Sequence, residues 1–306
     1  MAIKPNRLLP GDTIGIVTLG SPLNKTSIDT GIEMLKNMGF NVVVGKHVYS
    51  YDGYLASSDE DRAEDLMDMF ENKDVKAIIP TRGGVGVAGV LPYLDYDIIR
   101  QNPKILTGYS DITILLNVIY KLSNLMTYHS LLLIDFRPNT PKYNYDQFFS
   151  LTSGVNAPRP LKNPKNIPLY GNNMGTVSGI VVGGNLASFV DNLGTEYEID
   201  TEGKILFLEE IHEPINTVYR YMNHLKLAGK FDQCIGIIMG QCSGCIEAYG
   251  KTYNDLLNEF VLPLGKPTIT NLQSGHGYYK AGVPIGCNLS IDTNAATITI
   301  LEPTVI

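Results

Sequence analysis

Residues Lys104–Leu116 read KILTGYSDITILL, and the period of their apolar positions changes half-way along. A short apolar run ends at Gly108, and from Ile112 the apolar residues continue through DITILLNVIYKLSN at helical spacing. The stretch is a strand feeding a helix through the turn Tyr109–Ser110–Asp111. The same alternation precedes it. DTIGIVTL (12–19) and NVVVGKHV (41–48) read as buried strands flanking the helical TSIDTGIEMLKNMGF (26–40). SSDEDRAEDLMDMFEN (57–72) sets Ala63, Leu66, Met67 and Phe70 on one helical face, with Ser58 and Asp61 spaced as a capping box. VKAIIPTR (75–82) is a third strand, KILTGYS the fourth and LMTYHSLLLI (125–134) a fifth. Strands alternating with helices predict an α/β domain around a parallel sheet, with chemistry at the C-terminal ends of the strands.

The 306 residues are enough for two domains with cores of their own. Between Arg137 and Asn172 the alternation lapses, and six of the 17 prolines fall there, which marks residues 138–172 as a linker between domains at 1–137 and 173–306. The second domain shows shorter strand signals, MGTVSGIVVGG, KILFLEE, CIGIIMG and ATITILEP, with one clear helix, NTVYRYMNHLKLAG, closed by Gly229. It reads as mixed α and β. A net charge of −7 argues against nucleic acid as a partner, and no apolar run approaches the length of a membrane span. Four cysteines without a secretion signal do not make a disulfide framework, so the expectation is a cytoplasmic protein and, for the C-x-x-C at Cys242 and Cys245, buried structural thiols.

Ser110 stands where a nucleophile elbow would put its serine, although Ile112 occupies the second glycine position of G-x-S-x-G. A serine before a helix is also an ordinary N-cap. A nucleophilic serine needs a base and a third group to orient that base. Of the five histidines, His276 is the best base, lying between Gly275 and Gly277 in a loop after KPTITNL; His47, His129 and His224 have plainer readings, and His212 falls in EEIHE. KILFLEE ends a buried strand in Glu209 and Glu210, either of which suits the orienting acid. Two rival chemistries arise. RGGVGVAG (82–89) matches G-x-G-x-x-G at Gly84, Gly86 and Gly89, with Asp111 as the acidic residue of a nicotinamide-binding fingerprint, but it follows the third strand, and Pro92 stands too close for a phosphate-binding helix. EEIHE (209–213) resembles a ligand cluster without the H-E-x-x-H spacing of a zinc site. Neither a metal nor a cofactor is expected.

RGGVG, GYSDIT and SGHG, together with LLPGDTIGIV, GIVVGGNL and ILFLEEIHEP, resemble the LD-carboxypeptidases, serine peptidases that include the microcin-immunity peptidases. The resemblance runs in order along nearly the whole chain apart from the linker. It implies a Ser110–Glu209–His276 triad, Glu209 being the first carboxylate after its strand, and oxyanion donors at Gly84 and Asp111. It further implies an N-terminal domain like that of class I glutamine amidotransferases, flavodoxin-like in layout, a smaller β-rich C-terminal domain, and a homodimer. The implied reaction releases D-alanine from a murein tetrapeptide; peptidyl-nucleotide amides are the alternative substrate, and a non-catalytic muropeptide-binding protein the alternative function. Arg82 and Gly83 are candidate substrate contacts. Val85 and Val87 stand where the family has Tyr and Ser, TLGSP replaces its usual first turn, and His129-Ser130-Leu131 replaces His-Gly-Pro, all near the expected pocket.

Overall fold

The computed structural model describes all 306 residues, which divide into two compact units. The first comprises Met1–Val155, Gly282–Gly286 and Thr304–Ile306; the second comprises Asn156–Ala281 and Cys287–Pro303. The predicted boundary at 137 therefore lies at 155 instead. Part of the expected linker is helical: Lys142–Thr152 keeps Phe148 and Leu151 on a buried face. Prolines flank that helix rather than interrupt it.

In the first unit, β1 (Thr13–Val17), β2 (Asn41–Val44), β3 (Val75–Pro80), β4 (Ile105–Gly108) and β5 (Thr127–His129) form a parallel sheet in the order β5-β4-β3-β1-β2. Val283–Ile285 returns from far along the chain and pairs antiparallel with β5. The helices α1 (Lys25–Asn37), α2 (Asp59–Glu71), α3 (Tyr96–Gln101), α4 (Ile112–Ser123) and α5 (Lys142–Thr152) complete the alternation. The Ser58 hydroxyl accepts from Asp61 N at 3.1 Å and caps α2 as its spacing predicts. Two strand expectations change. β2 is the exposed edge of the sheet, its valines carrying β-propensity without burial, and the fifth strand is only three residues long.

In the second unit, β6 (Arg159–Leu161), β7 (Tyr170–Asn172), β8 (Thr176–Asn185), β9 (Ile205–Ile211), β10 (Gly236–Ser243) and β11 (Thr268–Leu272) are followed, after the Val283–Ile285 strand β12, by β13 (Asn288–Asp292) and β14 (Thr297–Ile300). Its mixed eight-stranded sheet has the order β6-β14-β13-β8-β9-β10-β11-β7, and β8 to β11 run parallel. β9 is central and buried on both faces, which explains its unbroken apolar run. Helices α6 (Leu186–Asp191), α7 (Ile215–Leu227), α8 (Lys230–Gln233) and α9 (Tyr253–Leu256) flank the sheet. No helix is long and apolar enough to cross a membrane.

Candidate active site

Ser110 does not cap α4. Asp111 occupies the N-cap position, and Ser110, one residue earlier, is held in the left-handed region at φ 63°. A non-glycine residue there is strained, and a sharp strand-to-helix turn is where an elbow stores such strain. Gly108 supplies the room: a Cβ at this position would stand 2.7 Å from the Ile112 side chain. Ile112 thus fills the space that Gly108 leaves, which accounts for the unusual spelling after the serine.

The glycine loop lies directly against this turn. A Cβ on Gly83 would come within 2.8 Å of Ser110 Cβ, 2.9 Å of Asp111 N and 3.0 Å of Ser110 Oγ. The Asp111 carboxylate accepts from Val87 N at 2.8 Å and ties the loop to the elbow. Gly84, at φ 88°, faces Ser21, whose N–H donates to Gly83 O at 3.1 Å and whose Oγ accepts from Val85 N at 3.2 Å. It is Gly83 that packs on the serine. Arg82 is half-buried, and no ion pair or hydrogen bond engages its guanidinium. The buried structural arginine is Arg62: Nη1 donates to Gly86 O at 2.9 Å and to Leu19 O, Nε donates to the carbonyls of Ser57 and Ser58, and Nη2 pairs with Asp59.

In the second unit, β9 delivers Glu209 and Glu210 to its C-terminal end, both buried. Glu209 Oε2 meets His276 Nδ1 at 2.9 Å. Glu210 is fully occupied elsewhere, accepting from Asn185 Nδ2 at 3.0 Å, Ala187 N at 2.8 Å and Ile211 N at 2.8 Å. It anchors the start of α6. Burial pushes the Glu210 carboxyl up to about 7, against the pull of those donors. Burial and the charges of both glutamates push the Tyr253 phenol up as well, so it stays protonated; its OH donates to Gly240 O at 3.4 Å.

The glycines around His276 have a specific cause. Gly275, at φ 86°, would put a Cβ 2.1 Å from Glu209 Oε2, and Gly277 would put one 2.1 Å from Gln241 Oε1. They admit protein groups, the glutamate above all. Sequence reasoning missed Lys280, a buried cation that donates to Gly275 O at 2.9 Å, because a lysine after two tyrosines carries no local signal. It also missed the disulfide between Cys242 and Cys245, which are half-buried and bonded rather than buried free thiols. β10 ends there in a turn that brings the two residues together, so the pairing follows from backbone geometry. Cys234 and Cys287 are the buried free thiols.

The rival chemistries lose their geometry. After Gly86 the loop enters a 3-10 turn, Val87–Tyr93, with Pro92 inside it, and a Cβ at Gly89 would meet the Asp59 carboxylate at 2.5 Å. That is no cradle for phosphate. The 209–213 side chains do not converge as ligands; three ligand atoms approach within 4.8 Å of one another only at His47, Asp61 and Glu64, far along the chain from the motif.

A strained serine elbow beside a bare glycine loop in the first unit, and a buried carboxylate on a partly buried imidazole in the second, are the parts of a serine-type hydrolase. The LD-carboxypeptidase N-terminal domain model matches residues 14–130 and the C-terminal domain model residues 178–291. The chain belongs to the LD-carboxypeptidase family and is a serine-type peptidase. It is 33% identical to the probable murein peptide carboxypeptidase of Bacillus subtilis (strain 168), over 97% of this chain and 94% of that one. It is 31% identical to the microcin C7 self-immunity protein MccF of Escherichia coli, over 96% and 94%. Among solved structures, MccF in complex with aspartyl sulfamoyl adenosine superposes with a TM-score of 0.93 at 29% identity, covering 99% of this chain and all of that one.

Proposed function

We propose that this peptidase hydrolyses the L,D-amide preceding a C-terminal D-alanine in murein tetrapeptides, with Ser110 as nucleophile, His276 as base and Glu209 as the acid that orients it. The observation that carries the reading is the 2.9 Å contact of the buried Glu209 carboxylate with His276 Nδ1. It holds the proton on Nδ1 and leaves Nε2 to accept one. His276 Nε2 takes the hydroxyl proton as Ser110 Oγ attacks the amide carbonyl, then gives it to the departing D-alanine nitrogen. Water repeats the sequence on the acyl-serine and releases the tripeptide. The N–H groups of Asp111 and of the Gly83–Gly84 segment serve the oxyanion, one such donor contributing roughly 10²- to 10³-fold in rate. Arg82, without an internal partner, receives the substrate's terminal carboxylate.

The murein reading is supported by the full-length similarity to a murein peptide carboxypeptidase. The similarity to MccF supports peptidyl-nucleotide amides as a second substrate class, cleaved by the same acyl transfer. A cytoplasmic homodimer belongs to the same reading, resting on the family resemblance. Mass spectrometry of murein tetrapeptide and of a peptidyl nucleotide after incubation with the protein separates the two classes. Ser110→Ala should abolish D-alanine release with the circular dichroism spectrum retained, while Arg82→Met should raise KM about tenfold or more with kcat changed less. Unchanged turnover by Ser110→Ala would refute the mechanism.

A further inference from the structure

The disulfide sits against the catalytic pair's supports. Cys242 lies opposite Glu210 and Ser243 opposite Ile211 in the β9–β10 register, just past an irregularity between Met239 and Cys242. Gln241 and Ser243, on either side of Cys242, back the loop of His276: a Cβ at Gly277 would meet Gln241 Oε1 at 2.1 Å and Ser243 Oγ at 3.5 Å. The turn that the disulfide closes is held by Cys245 N donating to Cys242 O at 3.3 Å and His212 N donating to Ser243 O at 2.9 Å. Gly244, at φ 66°, would put a Cβ 2.5 Å from the His212 ring. Four residues thus link the C-x-x-C to the strand of Glu209 and to the loop of His276. Cys242 also lines a cavity of about 350 Å³ with Gln241, Tyr253, Asn254, Thr270 and Asn271, large enough for a small thiol to enter.

We propose that Cys242–Cys245 is a thiol–disulfide switch that sets the order of the 273–281 loop and, through it, the alignment of His276 on Glu209. A thiolate of a small dithiol attacks the Cys242 sulfur, a mixed disulfide forms, and Cys245 leaves as thiolate and takes up a proton. The second thiol of the reductant then displaces Cys242, also as a thiol. Two electrons and two protons reach the pair, and the reductant becomes a disulfide. With the bond broken, the turn at 242–245 loses its closure, and Gln241 and Ser243 no longer fix Gly277. The oxidised protein is the ordered form.

Hydrogen exchange of the full-length protein, with and without dithiothreitol, tests this without requiring any activity. Alkylation of the native protein reports the state of the pair, since Cys234 and Cys287 are buried. Reduction should speed exchange across residues 273–281 several-fold while β13 and β14 keep their protection, and Cys242→Ser/Cys245→Ser should match the reduced protein with or without the reagent. Equal exchange in the two states, or loss of protection throughout the second unit, would overturn the switch, the latter making the bond a general staple. The link to catalysis rests on the proposed function: kcat for D-alanine release should fall at least threefold on reduction of the wild type and be indifferent to reductant in the double variant. A loop that responds in a protein without peptidase activity upholds the switch and counts against the function. A responsive loop with constant kcat overturns the link between them.

Discussion

At Gly275 one missing methyl group decides whether a carboxylate can reach an imidazole. Alanine there would be strained at φ 86° and would drive its Cβ into Glu209 Oε2. Gly275→Ala is expected to lower kcat by on the order of 10²- to 10⁴-fold, the scale of a lost orienting acid, while the fold survives. Activity within a few-fold of wild type would show that the Glu209 contact is dispensable. Glu210 makes a different, pH-linked prediction. Its folded pKa is raised from 4.5 to about 7, so its stabilising contribution is full below pH 4.5 and is lost as pH rises through 7. The stability of the wild type relative to Glu210→Gln should therefore fall across that window by on the order of 3 kcal/mol. Urea unfolding of both proteins from pH 4 to 8 measures this, and a flat difference would contradict it. The two adjacent glutamates look alike in the sequence. Which one meets His276 depends on side-chain direction at the end of β9, where residues alternate between faces.

Among the elements, the loops after β1 and β3 are held by a cation from α2. Arg62 is buried, and its guanidinium satisfies the carbonyls of Leu19 and Gly86 while pairing with Asp59. Arg62→Met would leave those acceptors and the Asp59 charge without their partner, a loss of about 3 kcal/mol in unfolding free energy. Turnover should fall as well, because Gly86 belongs to the loop that packs Gly83 on Ser110. Equilibrium unfolding alongside kcat tests both, and a variant as stable as wild type would exclude this role for the guanidinium. The helix α2 itself was legible from its apolar face and its cap. Its arginine was not, since a lysine-like charge on a helix reads by default as solvated, and only the fold shows it turned inward.

On the scale of the whole molecule, the chain passes between its two units at 155/156, 281/282, 286/287 and 303/304. The last residues complete the first unit: Tyr128 OH donates to Thr304 O at 2.6 Å, Thr304 Oγ1 donates to Leu151 O at 2.6 Å, and Arg7 N donates to Ile306 O at 2.9 Å. Val305 is fully buried. Removing Thr304–Ile306 should lower Tm by several degrees, at about 2–4 °C per kcal/mol for a unit of this size, with the first unit's amides losing protection first. An unchanged Tm would mean that these contacts contribute little. No local pattern announces such a tail, because its partners lie more than a hundred residues away.

The alternating strands and helices of the first unit, the elbow position of Ser110, the strand that carries Glu209 and the loop of His276 are all written in the amino-acid sequence. Apolar period, glycine and caps act over a few residues, and each of those features is local. Tertiary structure alone decided that Gly275 makes room for the contact of Glu209 with the imidazole, that Glu210 turns instead to Asn185, Ala187 and Ile211, and that Arg62 points inward. Each depends on close approach between segments distant in the chain or on the direction of a single side chain, and neither is encoded in spacing along the sequence.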